Sequence, residues 1–115
     1  MYEQAIAELQ QAVALSGGDP YYEGSLAHVY AVSNNANQAR KMLLDLETRR
    51  GRQYVPAYAI AVVYSGLGDQ DHAVSWLEKA YEDRSNSMAY LGADPELNAL
   101  HSDPRFLQLS RRMSF

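Results

Sequence analysis

The stretch PAYAIAVVYSGLGDQDHAVSWLEKAYEDR, residues 56–84, decides the fold of this chain. It contains two apolar runs at helical spacing, separated by a break at Gly68–Asp69, and the second run ends in mixed charge. Glycine tolerates the left-handed conformation that ends a helix, and aspartate caps the helix that follows. The stretch therefore predicts two helices joined by a tight turn.

The same spacing occurs earlier in the chain, with a period of 34 residues. Five positions of the earlier unit return 34 residues later as the same or a similar residue: Leu26 as Ile60, Ala27 as Ala61, Tyr30 as Tyr64, Ala39 as Ala73, and Leu43 as Leu77. Ala5 and Leu9 lie a further 34 residues before Ala39 and Leu43. Asn34–Asn35 stands where the later unit has its glycine–aspartate break, and asparagine also tolerates a left-handed helix end. Agreement in three registers indicates a repeated helix–turn–helix unit.

This unit resembles the tetratricopeptide repeat, a 34-residue helix–turn–helix with small and large residues at these positions. The resemblance implies an all-α fold, a right-handed helical solenoid with a short helical C-terminal cap. The helices are expected near residues 2–15, 20–33, 36–50, 54–67 and 70–84. The single domain would comprise the second helix of a partial repeat (1–17), two repeats (20–51 and 54–85) and a capping segment (86–115). The tryptophan frequent in the family's first helix is absent, since Glu23 and Ala57 occupy its place.

After Ser85 the period is lost, and two short segments each begin with aspartate followed by proline: DPELNAL (94–100) and SDPRFLQL (102–109). Aspartate caps a helix and proline suits its first position, so the segments predict two short helices. A cap with a polar outer face is what a helical solenoid needs at its end. The tail resembles the end of the C-terminal repeat segment of bacterial multidomain regulatory proteins.

The charge and the absence of cysteine exclude several classes of function. A net charge of −4 argues against a nucleic-acid binder, which would carry a basic stripe. Without cysteine there is no thiolate chemistry and no cysteine-based zinc site. The longest apolar run, AYAIAVVY (57–64), is too short to cross a bilayer, and the N-terminus lacks the basic region of a signal peptide. We therefore expect a cytoplasmic protein that contacts neither membrane nor nucleic acid.

The histidines do not form a catalytic or metal-binding pattern. His28, His72 and His101 lie in different segments, and none has an acidic or histidine partner at a metal-ligand spacing. The segment SGLGDQD (65–71) lacks the Lys–Ser/Thr of a phosphate loop and follows a helix rather than a strand. We expect no catalytic residue, no metal and no cofactor, and hence no enzyme.

The resemblance also implies a concave groove lined by the first helix of each pair. Its lining positions are Tyr21, Gly24, His28 and Val32 in one unit and Val55, Tyr58, Val62 and Ser65 in the next. Family members that clamp a C-terminal carboxylate use lysine, asparagine and arginine there, and none of these occurs at these positions. The candidate partner-binding residues are Tyr21, His28, Val32, Val55, Tyr58 and Val62. The expected function is a non-catalytic interaction or scaffold module that binds an apolar peptide, a helix or another copy of itself in or beside this groove.

Three alternatives stay open at this point. In the first, the array is a ligand-sensing module that binds a small apolar molecule and controls a fused effector domain. The chain's own tail could fill the groove. At the N-terminus, an apolar stripe made by Ala5, Ile6, Leu9, Ala12 and Val13 predicts pairing with a second copy or with a missing repeat half.

Overall fold

Five helices lie in the order that the repeat pattern predicts. The computed structural model describes residues 2–51, 55–82 and 95–113. The helices of the repeat region are α1 (Tyr2–Leu15), α2 (Pro20–Val32), α3 (Ala36–Arg50), α4 (Ala57–Leu67) and α5 (Gln70–Glu82). A 3-10 helix over Pro95–Leu100 and α6 over Pro104–Met113 form the tail. All regular elements of the described residues are helical, which confirms the all-α prediction.

The turns inside the repeats use the residues that the sequence singled out. Gly68 ends α4 with φ of 79° and Asn34 follows α2 with φ of 70°, both in the left-handed region. Asp69 caps α5, because its carboxylate accepts a hydrogen bond from the backbone N–H of His72 at 3.1 Å. Asn35 occupies the equivalent position before α3, but its side chain makes no capping hydrogen bond. Its amide donates to the Ser33 hydroxyl at 3.5 Å instead.

The first helices of the two repeats, α2 and α4, approach each other closely at two glycines. A Cβ atom on Gly24 would lie 2.9 Å from the backbone oxygen of Ala59. A Cβ atom on Gly66 would lie 2.8 Å from Cδ2 of His28. Both distances are shorter than van der Waals contact allows. At position 24 the obstacle is backbone, so only glycine permits this helix separation there, whereas at position 66 the His28 ring would have to move. The absence of side chains at these positions thus determines how the two repeats pack.

Buried side chains form two clusters. The central core lies among α2, α3 and α4 and contains Ala27, Leu43, Leu46, Val55, Ile60 and Val63. The C-terminal core joins α4 and α5 to the tail and contains Ala57, Tyr58, Ala61, Val62, Ala73, Val74, Leu77, Ala80, Leu97, Leu100, Phe106 and Leu109. Tyr64 and Trp76, both partly buried, pack against both cores. The tail therefore contributes four large apolar side chains to the core of the last helix pair.

α1 differs from the other repeat helices because it has no fully buried side chain. It packs against α2, where the Gln10 amide donates to the Tyr30 hydroxyl at 3.1 Å. Within the described ranges, no helix combines the length and apolar character needed to cross a bilayer.

Candidate partner-binding groove

The α2 half of the predicted groove presents an apolar stripe. Tyr21, His28 and Val32 are separated by seven and four residues, which places them on one face of α2. Tyr21 is 37% exposed and Val32 is 40% exposed, whereas His28 is half-buried beside Gly66. At 1.5 Å per residue the stripe extends for roughly 16 Å along the helix axis. This half of the groove can contact a partner in the conformation seen here.

The α4 half of the groove is covered by the chain itself. Tyr58 and Val62 are buried in the C-terminal core together with Leu97 and Leu100 of the 3-10 helix. Val55 is buried in the central core. The structure thus divides the six candidate residues into three on a partly exposed stripe and three inside the protein's own cores. That a partner binds the buried three stays a prediction.

Hydrogen bonds to Glu96 hold the 3-10 helix against both first helices. The Ser65 hydroxyl of α4 donates to the backbone oxygen of Glu96 at 3.0 Å. The Ser25 hydroxyl of α2 donates to the Glu96 carboxylate at 3.3 Å. Ser65 is one of the groove-lining positions, and it is buried by this contact. The tail therefore occupies the part of the groove that α4 lines.

The tail is also tied to α5 by an ion-pair chain. The buried Asp103 carboxylate accepts hydrogen bonds from the backbone N–H of Arg105 at 2.9 Å and from its guanidinium at 2.8 Å. These bonds lower the pKa of Asp103 below its ordinary value, and the bond from the guanidinium has the largest effect. The same guanidinium lies 2.9 Å from the Asp71 carboxylate of α5. The sequence predicted Asp103 as a helix cap, which the structure confirms, but did not indicate the link to α5.

A polar and aromatic network joins α3, α4 and α5. The Tyr64 hydroxyl donates to the Glu47 carboxylate at 2.5 Å, and burial together with this carboxylate raises the pKa of Tyr64. The Arg50 guanidinium lies 5.3 Å from the Trp76 ring centroid and donates to the backbone oxygen of Val55 at 2.6 Å. A cation over an indole face is favourable. These groups hold neighbouring helices together.

Arg49, the other basic residue at the end of α3, is also paired. Its guanidinium lies 2.6 Å from the Glu23 carboxylate of α2. The sequence does not indicate this ion pair, because the two residues lie 26 positions apart and no local pattern joins them. Glu23 occupies the place where related repeats carry tryptophan. A charged pair thus links the two helices of this repeat.

The three histidines lie in different elements: His28 in α2, His72 in α5 and His101 in the turn before α6. The His72 ring lies 2.7 Å from the Asp69 carboxylate and stacks on Tyr64 with 4.9 Å between centroids. His101 is exposed and stacks on Phe106 at 5.3 Å. The third histidine belongs to the α2 stripe. In the part of the chain that the structure describes, no group of three or more metal-ligating side chains comes together.

A cleft of about 430 Å³ opens between α1 and the turn that follows Val32, the last groove residue of α2. It is lined by Tyr2, Glu3, Ile6, Ser33 and Asn35. Sequence reasoning did not identify it, because its lining comes from α1 and from the turn between α2 and α3. Its walls mix a carboxylate, a hydroxyl and an amide with two apolar side chains.

Comparison with known proteins agrees with this architecture. Residues 57–82 match the family model described as tetratricopeptide repeat. The matched range begins with α4 and ends with α5, the helix pair of the second repeat. No curated protein and no solved structure gave a significant match. The match supports the assignment of these helices to a repeat solenoid of this family. Tetratricopeptide repeats are generally non-catalytic scaffolds that bind other proteins.

Proposed function

We propose that this chain is a non-catalytic interaction module that binds an apolar peptide or helix of another protein along the exposed groove face of α2. The observation that carries the proposal is the stripe of Tyr21, His28 and Val32, which leaves aromatic and aliphatic surface exposed in the groove of a helical-repeat protein. Tyrosine is a frequent anchor in interfaces because it provides a large contact area and has few rotatable bonds.

The length of the stripe limits the size of the bound segment. About 16 Å corresponds to roughly five residues of extended chain or eleven residues of helix. Within that length, two exposed apolar anchors lie near the ends, and the buried Gly24 lies between them. A segment with apolar side chains near both of its ends fits this arrangement.

The α4 half of the groove is the less favourable place for a partner. To reach Tyr58 or Val62, a partner would have to displace Leu97 and Leu100, which are both fully buried. Burial of one leucine side chain contributes about 1.5–3 kcal/mol, so exposing two costs roughly 3–6 kcal/mol before any contact is made. We therefore assign direct partner contact to the α2 stripe. Val55, Tyr58 and Val62 remain in the proposal as the residues that shape the groove wall and hold the tail.

The alternative function, sensing of a small apolar molecule to control a fused effector domain, has less support. The cleft of about 430 Å³ carries Glu3, Ser33 and Asn35 in its wall. Sites for apolar molecules are lined mainly by hydrophobic and aromatic side chains. The acidic net charge of −4 disfavours contact with nucleic acid. The proposal also places the module in the cytoplasm, as part of a bacterial regulatory protein that does not contact a membrane.

A selection from a random peptide library displayed on phage tests the proposal. The selected peptide is labelled, and its affinity is measured by fluorescence anisotropy. Tyr21→Ala and Val32→Ala should each weaken binding by about 5–30-fold, the effect of losing an anchor of about 1–2 kcal/mol. Leu44→Ala is the matched control, because Leu44 is exposed on α3 and lies outside the groove positions.

Two results would contradict the proposal. One is binding that survives both α2 substitutions and is abolished by Leu44→Ala. The other is a small molecule that copurifies with the protein in native mass spectrometry and prevents peptide binding. The second result would favour the sensing function.

A further inference from the structure

The apolar side of α1 is only half covered. Three repeat positions can be compared in successive second helices: Ala39, Leu43 and Leu46 in α3, and Ala73, Leu77 and Ala80 in α5, are all buried. The equivalent residues of α1, Ala5, Leu9 and Ala12, are half-buried. The reason is that α3 packs between α2 and α4, and α5 packs between α4 and the tail, whereas α1 packs against α2 on one side. An apolar helix face thus lies open at this end of the helix stack.

This open end is acidic. α1 carries Glu3 and Glu8, both exposed, and contains no lysine or arginine. Two large apolar side chains on the same helix, Tyr2 and Leu15, are also exposed. A surface with this composition favours a partner that combines apolar contact with positive charge.

The opposite end of the stack has that composition. α6 contains three arginines and no acidic residue. Arg111 and Arg112 are exposed, and neither forms an ion pair with another residue of the described ranges, whereas Arg105 is held by Asp103. Leu107, on the outer face of α6, is 43% exposed.

We propose that copies of this chain associate head to tail, with α1 of one copy packed on the outer face of α6 of the next. Charge complementarity favours this arrangement over the two symmetric ones. Pairing α1 with α1 would bring four carboxylates together, and pairing α6 with α6 would bring four exposed arginines together. A contact between two different surfaces does not close on itself, so the association continues from copy to copy. The groove residues of α2 take no part in this association. A test of the association is therefore independent of a test of the proposed peptide binding.

The expected association is weak and depends on salt. α1 is about 21 Å long, so a contact centred on one helix buries less than the roughly 1,200–2,000 Å² of a standard stable interface. The opposed charges are exposed, and about 1 M salt reduces the Debye length to ~3 Å, which screens them.

Sedimentation velocity over a concentration series tests the inference. At low salt the weight-average mass of the native chain should rise with concentration and pass the mass of a dimer. It should fall back toward the monomer when salt is raised to about 1 M.

Two charge-reversed proteins provide the decisive comparison. One carries Glu3→Lys and Glu8→Lys, and the other carries Arg111→Glu and Arg112→Glu. Each alone should remain monomeric, because like charges then meet at the contact. An equimolar mixture should associate again, since the lysines of one protein meet the glutamates of the other and the native pair also remains. The four positions are exposed, so each variant should fold, and circular dichroism checks this.

The control is Lys41→Glu, a charge reversal at an exposed residue of α3, which should leave the association unchanged. Several results would overturn the inference: a monomer at every concentration, charge-reversed variants that associate as the native chain does, or a mixture that fails to restore association. A dimer that stops growing and becomes tighter with added salt would also overturn it, because that behaviour identifies a symmetric pairing of two like-charged surfaces.

Discussion

Two leucines in α6 offer a matched test of whether the tail is part of the core. Leu109 is 2% exposed and belongs to the C-terminal core, whereas Leu107, two residues earlier, is 43% exposed. Leu109→Ala and Leu107→Ala make the same chemical change in the same helix. Only the packing around the deleted atoms differs.

The expected magnitudes follow from burial. Leu109→Ala removes buried methyl groups and leaves a cavity beside Phe106 and Leu100, which typically costs about 2–5 kcal/mol. For a chain of this size that is a large part of a total stability of roughly 5–15 kcal/mol. Leu107→Ala removes a side chain that is only partly covered and leaves no enclosed cavity, so a loss of about 1 kcal/mol or less is expected.

Urea unfolding followed by circular dichroism measures both values, at a protein concentration low enough to keep the chain monomeric. With a urea slope of about 1–3 kcal/mol per molar, Leu109→Ala should lower the unfolding midpoint by roughly 1–2 M, and Leu107→Ala by well under 1 M. Equal midpoints for the two variants would refute the argument that the tail completes the core of the last repeat.

Three further predictions concern other parts of the molecule. Gly24→Ala should lower the stability measured by thermal unfolding by about 1–3 kcal/mol, because the new Cβ would lie 2.9 Å from the Ala59 backbone oxygen. Gly51→Ala is the control: its Cβ would lie 3.6 Å from the nearest atom, so its stability should change little. Asp103→Asn should lower the urea midpoint at pH 7 but not near ~pH 2. A carboxylate whose pKa is lowered by folding stabilises the fold at pH values above its ordinary pKa of 3.8, and this stabilisation is lost as the pH falls through the folded-state pKa. An equal loss at both pH values would contradict this. Tyr58→Ala should destabilise the fold by about 3 kcal/mol. Its peptide affinity at the α2 stripe, measured at low temperature where the variant stays folded, should stay within about 2-fold of the native value. A large loss of affinity in the folded variant would place the partner at α4.

The sequence predicted the repeat helices well because each carries its own local pattern. The 34-residue period located α2 to α5, and the left-handed positions of Asn34 and Gly68 followed from residue type. The buried repeat positions, such as Ala39 and Leu77, followed from helical spacing. These features depend on neighbours within one or two turns, which a single sequence displays.

The candidate site was predicted less completely because it depends on contacts between distant parts of the chain. The lining positions came from the repeat register, which does not show what covers them. The 3-10 helix that covers the α4 half is held by a hydrogen bond between Ser25 and Glu96, which are 71 residues apart. The same holds for the ion pair between Asp71 and Arg105, since both are ordinary surface residues by sequence. The boundaries of the predicted domain units remain a prediction, and Ser85 lies outside the described residues.

Tyr64 and Trp76 have a consequence for how this protein unfolds. Repeat arrays whose units share only nearest-neighbour interfaces can open one unit at a time. Here the rings of Tyr64 and Trp76 pack against both the central and the C-terminal core. If one core opened, each ring would lose its contacts with that core while it stayed packed against the other. Neither repeat can therefore melt without loosening the other. The two repeats behave as one cooperative unit.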